Sequence, residues 1–382
     1  MIPVMKPWLG EEEAAAAATA VSSGWVAQGP RVREFEAAFA AAIGVPHAVA
    51  VSSCTTALHL ALIAARIGPG DEVVVPSLSF IATANAVRYV GAQPVFADVD
   101  LATQNLTPET IRPRLTGRTR GVILVDQTGV PADVNAVRAL CDPLGITVIE
   151  DAACAAGSSY RGRPAGAGAA LAAFSFHPRK LLTTGEGGML TTSDPAIAAR
   201  VRRLREHGMD VSAADRHHSR QPVIEHYTEV GFNFRMTDIQ AAVGLVQLRK
   251  LAVMVARRRS LAWRYQELLS AVPGLVTVTD PIYGKTNYQS FWVLLPDGPA
   301  AGRDELIRKF AEAGISVRRG VMAAHLEPAY ADNRPFLPVT ERLTMRSLIL
   351  PLFHTMTCAE QDQVVSVLTA TLARPRPRVQ VR

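Results

Sequence analysis

Three short stretches of the 382-residue chain carry side chains whose types and spacing could do chemistry. In the first, Phe174-Ser175-Phe176-His177-Pro178-Arg179-Lys180, a lysine follows an apolar run and precedes a turn containing Gly185, Gly187 and Gly188. A desolvated amine has a lowered pKa, which favours a nucleophile able to form a Schiff base. A lysine snorkelling from a surface hairpin would read the same way. In the second, Thr147-Val148-Ile149-Glu150-Asp151, two acids end an apolar strand. A buried carboxylate there needs a cationic or proton-donating partner, unless it merely caps the next turn. In the third, Val51-Ser52-Ser53-Cys54-Thr55-Thr56, hydroxyl residues lead from a strand into a helix. Free amides, hydroxyls and the helix dipole make an anion site, although an ordinary Ser/Thr N-cap uses the same residues.

Together, an anion cradle, a strand-end carboxylate and an amine nucleophile are the parts that pyridoxal 5'-phosphate (PLP) requires. The lysine binds the aldehyde, the acid keeps the ring nitrogen protonated, and the helix holds the phosphate. Phe80, after Pro76-Ser77-Leu78-Ser79, offers an aromatic face for such a ring, or a core side chain.

The elements that must position these residues follow from the hydrophobic pattern. Short runs that are apolar throughout (Ala48–Val51, Val73–Val75, Pro94–Ala97, Val122–Val125, Thr147–Ile149, Ala172–Phe176) alternate with helical stretches. Such strands are buried on both faces, so the pattern predicts an α/β fold with a mainly parallel central sheet flanked by helices. Ligands bind such sheets beyond the carboxyl ends of the strands, where Lys180, Asp151 and Thr55 fall. From about residue 194 the character changes. An Arg-rich helical stretch over 237–270 reads as a connector, and shorter strands mix with helices after about 275. We expect a large domain over 1–250, a smaller C-terminal α+β domain over 251–382, and an N-terminal helix packing on the small domain. Residues 374–382 form a basic, Pro-containing tail, read as a solvated end.

Composition narrows the function classes. A hydrophobic fraction of 48% with 19% charged residues describes a globular chain. No uninterrupted apolar stretch reaches the roughly 18 residues of a membrane span. Glu11, Glu12 and Glu13 stand where a secretory signal would be basic and then apolar, and four cysteines lack any disulfide or zinc spacing, so a cytoplasmic location and no metal are expected. The net charge of +6 suits an anionic substrate, but no basic stripe points to nucleic acid. Only five of the 40 basic residues are lysine, which makes Lys180 the more notable.

The chain resembles the DegT/DnrJ/EryC1/StrS family of sugar aminotransferases, which have the fold-type-I architecture of PLP enzymes. The likeness rests on Ser23-Gly24-Trp25, Gln28-Gly29-Pro30, Ser53–Leu58, Pro76 with Phe80–Asn85, and Gly91-Ala92 with Pro94–Asp100. Glu150–Ala153, Ser175-Phe176 with Lys180 and Gly185–Gly188, and Gly231–Met236 complete it. The resemblance implies Lys180 as the covalent attachment point and proton carrier, and Asp151 at the ring nitrogen. It also implies Phe80 on the ring and Thr55, Thr56 and Ser175 at the phosphate. Asn233 would reach the phosphate of a neighbouring copy, making a homodimer with shared active sites. Lysine at 180 speaks against the family's dehydratase branch, which has histidine there.

Two positions depart from the family pattern. Many relatives have glutamine where Cys154 stands, bonding the cofactor's phenolic oxygen. They also read His-Leu-Tyr-Gly where this chain has Asp126-Gln127-Thr128-Gly129; Gln127 could restore the lost hydrogen bond. Arg31, Arg235, Arg318 and Arg319 are candidates for holding a donor carboxylate or a diphosphate. His325 is either a substrate-side or a structural histidine. The expected activity is transfer of an amino group from glutamate or glutamine to a keto-sugar, with nucleotide-linked sugars as the expected acceptors. A keto-cyclitol acceptor, another fold-type-I activity such as a lyase or desulfurase, and a PLP-binding regulator without turnover are the alternatives.

Overall fold

The computed structural model describes residues 1–212, 216, 222–298, 302–332 and 334–373. The basic tail at 374–382 lies outside the described residues. Seven strands form the central sheet: β1 (His47–Val51), β2 (Glu72–Pro76), β3 (Gln93–Ala97), β4 (Thr119–Val125), β5 (Thr147–Asp151), β8 (Leu171–Ser175) and β9 (Gly188–Thr192). Between β5 and β8 lie two short strands, β6 (Ser159–Tyr160) and β7 (Arg163–Pro164), in a separate small sheet. The spatial order of the main sheet is β1-β9-β8-β5-β4-β2-β3. β2, β3, β4, β5 and β8 pair in parallel, whereas β9 runs antiparallel between β1 and β8.

The sheet is covered on both faces, which is why its strands read as continuous apolar runs. Successive residues point to opposite sides. Val49 and Val51 join the layer beneath the helices Cys54–Ala64, Ala82–Tyr89 and Pro195–Leu204, while Ala48 and Ala50 face Phe35, Phe39 and Met236 on the other side. Phe39 packs edge-on to Phe174 and Phe176, with ring centroids 5.0 and 5.4 Å away. One consequence of the topology matters most. The carboxyl ends of β1, β5 and β8 lie on the same edge as the amino end of β9, where Gly188 pairs with both Val51 and Ser175.

The 32-residue helix Asp238–Leu269 starts at a capping box between Thr237 and Gln240. Asp238 accepts the amides of Gly29, Arg31 and Val32 at 2.8, 3.1 and 3.0 Å, capping the helix Pro30–Ile43. This helix is long and apolar enough to cross a bilayer, but in the fold it carries protein along its length. The helix Glu11–Ser22 lies on it, with Glu13 bonded to Gln247 at 2.8 Å and Lys250 at 2.9 Å. The extended residues before that helix go elsewhere. Ile2 pairs with Ile315, and the Val4 carbonyl accepts the Leu352 amide at 3.1 Å.

Beyond the long helix, β10 (Val276–Thr277), β12 (Phe291–Leu294), β13 (Arg318–Arg319) and β14 (Ser347–Leu350) form an antiparallel sheet in the order β10-β12-β14-β13. β11 (Gly284–Lys285) instead pairs with β6 beside the main sheet. The helices Arg303–Glu312 and Cys358–Leu372 contribute Leu306, Phe310, Val364 and Leu368 to a core shared with Phe291 and Leu348. That core is continuous with Val122, Leu124 and Val148 of the main sheet.

Candidate functional site

The turn between β8 and β9 is drawn tight by hydrogen bonds from Thr183 Oγ1 and the Thr184 amide to the Phe176 carbonyl. It projects Lys180 into a cavity of about 460 Å³ beyond the strand ends. Lys180 Nζ lies 3.0 Å from Cys154 Sγ. Burial on its own pulls this amine's pKa down, which is the effect expected from the sequence. Cys154, together with Cys54 and Asp151, outweighs burial and leaves the pKa raised.

Asp151, at the end of β5, is 4% exposed. One oxygen accepts the Thr83 hydroxyl at 2.9 Å and the other the Ala153 amide at 3.2 Å, with Cys54 Sγ 4.0 Å away. Burial raises its pKa; the Thr83 and Ala153 hydrogen bonds and the Lys180 charge oppose this without cancelling it. Thr83 is in turn bonded to Ser79 Oγ at 2.8 Å. A buried carboxylate held by donors with only one cation nearby is costly to ionise, and a cationic ring nitrogen against it would reverse that cost.

At the third stretch, Ser53 caps the helix Cys54–Ala64 by accepting the Thr56 amide at 3.1 Å, and Thr56 Oγ1 bonds back to the Ser53 carbonyl at 2.7 Å. The cap reading is thus correct for Ser53 and Thr56. It leaves the amides of Cys54 and Thr55, in the first helical turn, without intrahelical acceptors. Gly188 abuts this terminus so closely that a Cβ would stand 2.3 Å from the Ser53 carbonyl carbon and 2.5 Å from the Cys54 nitrogen. Here the glycine admits the chain's own backbone. Ser175, at the end of β8, is 9% exposed. Phe80 is 70% exposed, though it lines the cavity, so the chain itself does not cover its ring.

Gln127 also lines the cavity, and its Nε2 donates to the Leu78 carbonyl. Arg179, Arg258, Arg318 and Arg319 complete the charged lining with Lys180, and no carboxylate is among the described lining residues. Burial and the neighbouring Arg179 push the Arg318 pKa down. Arg258 is 3% exposed and bonded only to carbonyls, and burial lowers its pKa to about 9.

Asp151, Thr55, Thr56 and Ser175 sit at the strand ends next to this lining, whereas Arg31, Arg235, His325 and Asn233 stand outside it. Arg31 points to Glu34 at 2.7 Å, on the first turn of its own helix. Arg235 is half-buried and does not border the cavity. His325 is 1% exposed, hydrogen-bonded to Ser77 through Nδ1 and 3.5 Å from Glu341 through Nε2, which makes it a strut between segments. Burial lowers its pKa. Asn233 is exposed, forms a bridge with Glu206, and is likewise not brought to the cavity within one chain.

Sequence reasoning did not single out Thr83, Arg258, Asn287 or Gln289. Thr83 could have been found from its spacing, four residues after Ser79 at a helix start. The others carry no local signal.

The arrangement fits a phosphorylated pyridine aldehyde. The amine and the uncovered Phe80 ring line the cavity, and the buried acid and the open amides near Ser175 lie at the neighbouring strand ends. Comparison with known proteins agrees. The family model of the DegT/DnrJ/EryC1/StrS aminotransferase family matches residues 7–369. The aminotransferase TlmJ from Streptoalloteichus hindustanus is 38% identical, with a TM-score of 0.90 over 98% of this chain and 99% of that one. The sugar aminotransferase CalS13 from Micromonospora echinospora is 29% identical, with a TM-score of 0.88 over 97% and 100% of the two chains. Spr1654 from Streptococcus pneumoniae, in its PLP form, is 25% identical, with a TM-score of 0.90 over 97% and 98%. The chain belongs to the DegT/DnrJ/EryC1/StrS aminotransferase family and is a PLP-dependent aminotransferase.

Proposed function

We propose that this aminotransferase moves an amino group from glutamate or glutamine to a keto-sugar linked to a nucleotide. The observation that carries the substrate class is the cavity lining. Arg179, Arg318 and Arg319 line it beside Lys180 with no carboxylate among the described lining residues, which suits a diphosphate or a donor carboxylate. Similarity to a sugar aminotransferase supports the acceptor.

When bound, PLP supplies the electrophilic aldehyde and the electron sink. The chain's own residues do the rest. With PLP bound, Lys180 would hold its aldehyde carbon, and once the donor amine had displaced it, the free lysine amine would take the proton off the donor's α-carbon and, in the reverse half-reaction, deliver a proton to the acceptor's carbon. Asp151, fixed by Thr83 and the Ala153 amide, keeps a proton on the ring nitrogen. The Cys54 and Thr55 amides, with Thr55, Thr56 and Ser175, hold the phosphate. Phe80 covers one ring face, and Cys154 stands where a hydrogen bond to the phenolic oxygen would come from. Gln127, turned to the Leu78 carbonyl, shapes the wall beside it. Arg318 and Arg319 receive the anionic part of the substrate. Asn233 completes the phosphate site of a second copy in a cytoplasmic homodimer. The exposed Tyr227 and Val230 give such a dimer apolar surface to bury.

Absorption spectroscopy before and after borohydride, beside Lys180→Ala, tests the lysine. A visible band that borohydride abolishes, with the label on the peptide containing Lys180, is expected. Conversion of that band by glutamate or glutamine names the donor. A band that survives unchanged in Lys180→Ala refutes the assignment.

A further inference from the structure

Between the long helix and β12 the chain runs through Thr286–Ser290, and in those few residues it grips the loops behind three adjacent strands. Behind β4, the Ser290 amide reaches the Thr128 carbonyl at 3.3 Å. Gly129, at φ 96°, leaves room there, since a Cβ on it would stand 2.0 Å from Asn287 Oδ1. Behind β5, Asn287 Nδ2 donates to the carbonyls of Cys154 and Ala156 at 2.8 and 2.9 Å. Its backbone amide meets Ser158 Oγ at 3.0 Å, and that hydroxyl donates to the Gly129 carbonyl at 2.6 Å. Behind β8, Gln289 Oε1 accepts the Leu181 amide at 3.0 Å while its Nε2 donates to the Arg179 carbonyl. One amide group thus holds the backbone on both sides of Lys180.

The segment is itself locked. Asn287 Oδ1 accepts the Gln289 amide at 2.7 Å, and the intervening Tyr288 is left-handed at φ 51°. A bulky residue takes that conformation only where its surroundings enforce it. Buried Arg258 does so from the long helix, donating to the carbonyls of Tyr288, Gln289 and Leu352, each at 2.8 Å.

We infer that Asn287 and Gln289 are positioning residues of the transamination, setting the placement of the Lys180 turn against the Asp151–Cys154 turn. The inference rests on the assignment of Lys180 and Asp151 above. The amine must meet first a carbonyl carbon and then a proton on the opposite side of a new bond. A misplacement of about 1 Å in such a step costs on the order of a hundredfold in rate. Neither residue needs to touch the substrate for this; each acts through the backbone it holds.

The test uses the full-length, cofactor-loaded protein. Gln289→Ala is expected to lower kcat by about 10- to 100-fold with the donor KM within about threefold, and to shift the pH midpoint of the visible band. Asn287→Asp, which keeps the acceptor for the Gln289 amide and loses both donors, is expected to act in the same direction. Gln289→Glu keeps the acceptor for the Leu181 amide and should recover part of the rate. In the cofactor-free chain, Gln289→Ala should speed hydrogen exchange at the Leu181 amide by about tenfold or more. Val293→Ala, in the core of β12, is the control for simple destabilisation and should leave the band midpoint and Leu181 exchange unchanged. The inference is overturned if folded Gln289→Ala keeps kcat, midpoint and exchange within about twofold of the parent, or if Val293→Ala moves them equally. A band unchanged in Lys180→Ala overturns the lysine assignment instead, whatever Gln289→Ala does.

Discussion

Asp126 and Glu150 end the neighbouring strands β4 and β5 behind the site and are buried at 1% and 3% exposure. Asp126 accepts the Ala132 amide at 2.8 Å and Glu150 the Gly166 amide at 2.7 Å. Each also keeps one oxygen that no donor reaches, and the two carboxyls interact with each other. Two acceptors can satisfy one another only if one carries a proton. Burial first, then repulsion by Glu150, raises the Asp126 pKa well above the usual carboxylate range. Substituting Asp126→Asn supplies a permanent donor in place of that proton. In the parent, the folded state keeps a proton that the unfolded state loses above pH about 4. The stability so linked is fully present below that pH and is lost as the pH rises towards the folded pKa. Over the pH range below the folded pKa the slope is one proton's worth, about 1.4 kcal/mol per pH unit. Asp151 is raised in the same direction but is common to both proteins, so it cancels in the difference. Urea unfolding at half-unit steps from pH 5 to 7.5 should therefore show Asp126→Asn losing less stability with pH, by about that slope. Parallel curves would refute the shared proton. So would a loss of more than about 3 kcal/mol at pH 7 in the variant, the penalty for breaking an ionised buried network.

Three further outcomes follow from the geometry. Gly188→Ala forces a Cβ into the Ser53–Cys54 backbone and should cost about 3 kcal/mol in chemical denaturation while weakening inorganic phosphate binding, measured by calorimetry. Cys154→Ala removes the largest contact raising the Lys180 pKa, so that pKa should fall; lysine-directed acylation of the cofactor-free protein, followed by peptide mass spectrometry across pH, should show its midpoint moving down. Thr83→Val removes a hydrogen bond to the ionised form of Asp151 and should weaken PLP binding by about tenfold, read by equilibrium titration.

The sheet was legible because its strands are buried on both faces and read as unbroken apolar runs, with helices between them. That Lys180, Asp151 and Phe80 stand at or beyond strand ends was legible because such placement is a local property. Element ends were less so. Ser79–Ile81 form a turn, with Ser79 bonded to Thr83 across it, and the helix Val134–Cys141 changes to a tighter turn at Asp142–Leu144 beside Pro143, ends that no apolar pattern marks. The segment Thr286–Ser290 was illegible for a different reason. Its partners lie more than 100 residues earlier, and no periodicity announces a contact of that span. Likewise Arg257, Arg258 and Arg259 are consecutive, yet only the middle one is buried, a distinction made by the helix's rotation against carbonyls of distant loops.

That same span has a consequence for how the protein comes into being. By the time residue 192 has been synthesised, every strand of the main sheet exists and its order can be established. The loops behind β4, β5 and β8 stay untied until residues 286–290 have followed the 32-residue helix out of the ribosome. A nascent chain stopped near residue 275 therefore has its scaffold without its working edge. Competence to hold the cofactor rigidly arrives as a late, separate event in the life of each molecule.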